Sequence, residues 1–141
     1  MSKRKISIKN NIKDIIAPSK KSIVSDTEGS TNNKEIVFSF KNFNEKSHGL
    51  NFDADEFKAL IKHFVVLSKL TWQQVQNAGK HQLGHEKIKT EQLKETLPSE
   101  YYDIKEVLSF RYSEGKPFVG IRNQQILDVL FIDPNFDLYK H

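Results

Sequence analysis

Three runs of strand-forming residues lie near the C-terminal end of this chain: 106–112, 117–122 and 126–133. Only Ser-Glu-Gly-Lys separates the first two, and only Asn-Gln-Gln the last two. Strands this close pair as antiparallel neighbours, because a parallel crossover needs about a dozen residues. Gly115 supplies the positive φ that such a tight turn favours. The chain is therefore expected to end in an antiparallel meander, turned once more by Asp133-Pro134-Asn135.

Upstream, the pattern changes. Residues 35–41 (Glu-Ile-Val-Phe-Ser-Phe-Lys) read as a first strand and 42–51 as a loop. Asp53 with Glu56, and Thr71 with Gln74, are two capping-box signatures. They predict consecutive helices over 53–70 and 71–78. Phe57, Leu60, Ile61, Phe64 and Leu67 form the apolar stripe of the first, and Gly79 ends the second. Residues 79–89 read as a polar loop. A short helix over 90–97 is stopped by Pro98. The expected order is β-α-α-(α)-β-β-β. This is an α+β fold with an antiparallel sheet and the two N-terminal helices packed on one face.

Charge divides the chain. Of the net +4, residues 1–34 contribute +5 and residues 35–141 contribute −1. Residues 1–34, closed by a Ser/Thr/Asn/Gly-rich run, read as a basic tail of disordered composition in front of one domain at 35–141. Ile8, Ile12, Ile15 and Ile16 share a helical face, which leaves a partner-binding helix as the alternative to a solvated tail. Cysteine is absent, which excludes disulfides and thiolate metal sites. No apolar run approaches the roughly 18 residues of a membrane span. The basic start is followed by no apolar signal segment. A cytoplasmic protein without membrane contact is expected.

The segment Phe110, Arg111, Tyr112, then Phe118-Val-Gly-Ile-Arg122, then Ile126 through Asp133, then Asp137-Leu-Tyr139-Lys-His141, resembles the C-terminal meander of the RelE/ParE superfamily of bacterial toxins. The layout of 35–141 is similar to that family's as well. The resemblance implies an mRNA interferase of RelE/YoeB type, which cuts mRNA at the ribosome without a metal and is held inactive by a cognate antitoxin protein. The ParE branch poisons a host enzyme instead, and a shared fold does not settle the chemistry.

Metal-free RNA cleavage needs a base for the 2′-hydroxyl, a cation for the phosphate and an acid for the leaving oxygen. Arg111 and Arg122, the only arginines in 35–141, lie on neighbouring expected strands and are suited to phosphate. The resemblance adds Tyr139 and His141 as terminal catalytic groups. His85 and Glu86 are candidate bases, and His81, Lys87 and Lys89 are candidate RNA contacts. His81 and His85 are four apart but lack a third ligand, so no metal or other cofactor is expected. Each of these residues has a plainer reading, as sheet-surface charge, packed tyrosine or polar loop. Trp72, Phe110, Phe118 and Phe131 are assigned to the core, and Asp133 to turn chemistry. The nuclease reading requires Arg111, Arg122, Tyr139 and His141 to meet at one basic patch. Its alternative is a non-catalytic module that binds nucleic acid or protein.

Overall fold

The computed structural model describes residues 30–46, 48, 50–79 and 83–140. The isoleucine face at 8–16 lies outside these residues, as do His81 and His141. Residues Asn32–His141 form one compact unit, separate from Met1–Thr31. The ordered framework already includes residues just before the first strand: Gln73 N donates to Asn32 O and Trp72 N to Lys34 O.

The fold is α+β. Its elements are β1 (Val37–Ser39), α1 (Ala54–Ser68), α2 (Trp72–Asn77), β2 (His85–Lys89), β3 (Glu106–Ser113), β4 (Lys116–Asn123) and β5 (Ile126–Ile132). Both helices start at the capping boxes read in the sequence. In α1, Glu56 N donates to Asp53 Oδ1 and Asp53 N to Glu56 Oε1, at 2.8 and 3.1 Å. In α2, Thr71 and Gln74 exchange the equivalent bonds. These reciprocal bonds satisfy amide donors that a helix start otherwise leaves without partners.

The five strands lie in the order β1-β5-β4-β3-β2. Three features differ from expectation. The sheet is mixed and not antiparallel throughout, because β1 pairs in parallel with β5 (Val37 with Ile126). A parallel ladder joins strands remote in sequence, so no turn signal announces it. Second, residues 85–89 are a strand and not a loop: β2 pairs antiparallel with β3 from His85–Phe110 to Lys89–Glu106. Only Ile88 in it is buried. An edge strand presents charge outward, and that hides it from a reading based on apolar content. Third, the expected helix at 90–97 is reduced to a 3-10 turn at Thr90–Gln92. The chain then crosses the sheet, with Lys94 N bonded to Leu138 O.

Each face of the sheet carries its own core. On one face, Leu60 and Leu67 of α1 and Trp72 and Val75 of α2 pack on Phe110, Phe118, Leu127 and Val129. On the other, Val107, Val119, Leu130 and Phe131 meet Tyr101, Leu138 and Tyr139, with Leu93, Leu97 and Ile104 against them. That second layer consists of the 90–105 connection and the C-terminal residues. Asp133 turns the C-terminal residues back over the sheet, accepting hydrogen bonds from Asp137 N and Leu138 N at 3.0 Å each. Among the described residues no helix is long and apolar enough to cross a membrane.

Between β4 and β5 the register shifts at Val119/Gly120. Val129 faces Gly120 and Phe131 faces Val119, so Leu130 is the extra residue of a bulge. The close approach depends on glycine, since a Cβ on Gly120 would lie 2.6 Å from Asp128 O. Gly120→Ala is expected to cost about 1–3 kcal/mol of stability. A lower urea midpoint at unchanged slope is the measurement that checks it.

Candidate nucleic-acid interface

The side chains expected at one patch are divided between the two faces. Strand residues alternate faces, so Ser109 and Arg111 point away from the helices while Phe110 and Tyr112 point toward them. Arg111 is bound within the fold: NH2 donates to Glu86 Oε2 at 2.7 Å and NH1 to Gly115 O at 2.8 Å. Tyr139 is only 4% exposed and its hydroxyl is 2.7 Å from Ser109 Oγ. Burial pushes its phenol above the usual range. These two residues hold the second core and the hairpin end. They do not line an open site together with Arg122. The expectation of a single patch containing Arg111, Arg122 and Tyr139 is not met.

A different subset of the candidates does converge. His85, Lys87 and Arg122 line one open cleft of about 310 Å³ with Gln76 from α2 and Glu106 and Leu108 from β3. β2 is the outer strand here and places His85 and Lys87 on the same side, two residues apart. Arg122 is held firmly. Its guanidinium lies 4.2 Å from the centroid of the Trp72 ring. Nε donates to Gln124 O at 2.7 Å, and NH2 to Asn32 Oδ1 at 2.8 Å. Trp72 is itself fixed by its indole N–H to Gln125 O at 2.9 Å. Stacking and hydrogen bonding fix the plane of the cation, which keeps its charge at any working pH.

His85 packs at a tilt on Phe110, ring centroids 5.1 Å apart, and Phe110 stacks on Phe118 at 5.0 Å. Neither ring nitrogen of His85 has a hydrogen-bond partner among the described residues. Burial holds its pKa below the ordinary histidine value, and the charges of Lys87 and Arg122 push it the same way. Near neutral pH the cleft therefore holds a neutral imidazole, with one lone pair and one N–H uncommitted, beside two cations. Such a set can bind an anionic ester and accept a proton from a hydroxyl next to it.

Lys89 continues along β2 into an adjoining cleft of about 730 Å³, which also contains Tyr102 and Lys105. Gln76, Tyr102 and Lys105 were not singled out from sequence. The adjacent pair Tyr101-Tyr102 was the available signal, but sequence does not say which tyrosine is buried. His48 bridges Glu95 (2.9 Å) and Asp137 (2.8 Å) through its two ring nitrogens. His63 lies on α1 against Phe118, ring centroids 6.1 Å apart.

Because the folded-state pKa of His85 is lowered, the native protein binds fewer protons than the unfolded chain. The stabilising contribution of His85 is complete above about pH 6.5 and is lost as pH falls from there through the folded-state value. An NMR titration of the imidazole is expected to show a midpoint below 6.5, and Lys87→Ala should raise it. No protein-family profile matches the chain, and neither the curated proteins nor the solved structures compared with it give a match.

Proposed function

We propose that this chain is a metal-independent endoribonuclease of toxin type whose reacting group is His85. The observation that carries the reading is the half-buried, neutral His85 with two uncommitted nitrogens beside Lys87 and Arg122. In this reading His85 takes the proton of a ribose 2′-hydroxyl. The freed oxygen attacks the adjacent phosphorus, and the P–O5′ bond breaks to leave a cyclic phosphate. The Lys87 ammonium protonates the departing 5′-oxygen, and exchange with solvent resets both groups. Arg122, oriented by Trp72, stabilises the charge that grows on the phosphate oxygens. Arg111 and Tyr139 are assigned to stability. Following the RelE/ParE-like layout, the substrate is mRNA at the ribosome and an antitoxin protein is the inhibitory partner.

A second reading is favoured by one observation: both His85 nitrogens are covered by the surrounding wall. A site that admits a phosphate to Lys87 and Arg122 but no hydroxyl to His85 binds RNA without cutting it.

The test is induction in a bacterium, with growth and transcript integrity followed together, and cleavage by the purified protein in chelator. His85→Gln is expected to reduce cleavage by about 10²–10⁴-fold, the usual contribution of a positioned general base. Tyr139→Phe should cut RNA as the native chain does. The native rate should be flat near pH 7 and fall in acid, as His85 becomes protonated. Binding without cleavage selects the second reading. Growth arrest with intact transcripts selects a ParE-like inhibitor. Cleavage that persists in His85→Gln overturns the site.

A further inference from the structure

Tyr102 is 85% exposed, the most exposed of the large apolar or aromatic side chains among the described residues. Its neighbour Tyr101 is buried, with its hydroxyl 2.6 Å from Asp128 Oδ2. One solvent-facing tyrosine means little by itself, but its surroundings are informative. Tyr102 stands with Lys89 and Lys105 in the 730 Å³ cleft, and that cleft shares Ile104 and Glu106 with the His85 cleft. The two clefts therefore adjoin at Ile104 and Glu106, and together they are called the groove beside the outer strand β2. Along it, His85, Lys87 and Lys89 recur at every second residue of β2, about 6.6 Å apart at strand geometry. An extended single strand, whose phosphates recur at a comparable interval, can follow that row.

The polar groups of the groove sort by chemistry. Arg122, Lys87, Lys89 and Lys105 outnumber Glu91 and Glu106. The cations suit phosphates, and the carboxylates suit the amino groups of bases. Thr90 lines the Tyr102 cleft, and its Oγ1 is buried and without a partner among the described residues. Turned outward by rotation about χ1, that hydroxyl can both donate to and accept from a ribose 2′-hydroxyl, the group that separates RNA from DNA.

We infer that the groove binds single-stranded RNA, with its phosphates along Lys87 and Lys89, one unstacked base on the ring of Tyr102 and a ribose hydroxyl at Thr90. This rests on the proposed RNA substrate and extends it from the scissile phosphate to the neighbouring nucleotide. A duplex does not fit, because its bases are stacked on each other and offer no free face.

The experiment is fluorescence anisotropy with the full chain and a short labelled RNA of mixed sequence, intact or with a single abasic position moved along it. His85→Gln serves as the background so that the probe survives. Tyr102→Ala is expected to weaken binding about tenfold, the scale of one stacked base. Tyr102→Trp should retain affinity. One abasic position should weaken the Tyr102 protein and leave Tyr102→Ala unaffected. The deoxy strand should bind more weakly than the RNA. Tyr102 is exposed, so its replacement does not threaten the fold. If the parent binds the RNA and Tyr102→Ala binds equally well, the stacking platform is wrong while the RNA reading stands. Equal affinity for the deoxy strand overturns the ribose contact. If the parent binds no RNA, both readings fall together.

Discussion

Burial of one sheet on both faces is the constraint on which the rest of this structure depends. β4 and β5 occupy inner positions, and six of the seven residues of β5 are buried. A strand in that position must be apolar toward both layers, and something must supply the second layer. Here the helices supply the first. The second is a length of chain with only 3-10 turns, together with the C-terminal residues. Asp133 makes this possible. Its carboxylate accepts from two successive amides and turns the chain so that Leu138 and Tyr139 seal the second core. The Leu130 bulge then lets consecutive residues Leu130 and Phe131 both enter that core, while Val129 and Ile132 stay in the first.

Complete covering at the centre sets the chemistry at the edge. Polar side chains that fall between the layers must find partners there, since leaving them unsatisfied costs about 1–3 kcal/mol each. Tyr139 pairs with Ser109, Tyr101 with Asp128, and Arg111 with Glu86. These groups are thereby committed. Beyond the end of α2, the helix-side face of β2 and β3 has less cover, and His85, Lys87 and Arg122 meet in a cleft there. The features that shift His85 toward its neutral form, burial and two neighbouring cations, also make the cleft attractive to an anion. The same electrostatics therefore bears on both the attraction of an anion and the protonation of His85.

Much of this was readable in one dimension. Asp53 with Glu56 and Thr71 with Gln74 marked both helix starts, because capping is a contact between residues three apart. The meander was visible because its turns are short. Trp72, Phe110, Phe118 and Phe131 declared themselves as core by size and apolarity. What failed was everything that depends on remote pairing. The β1–β5 ladder joins residues 37 and 126. β2 was hidden because an edge strand rich in charge looks like a loop.

Sequence by itself determined the local architecture and the inventory of chemically able residues: two capped helices, a three-stranded meander, two arginines and a histidine-lysine segment in the fold. Tertiary structure alone decided which of these residues meet. Strand alternation sends Arg111 and Arg122 to opposite faces, and the return of the chain at Asp133 buries Tyr139. It also brings His85, Lys87 and Arg122 together from β2 and β4, with β3 between them. The reason is physical. Periodicity fixes a side chain's direction relative to its own element, but its neighbours depend on strand order and register, which only the packed sheet specifies.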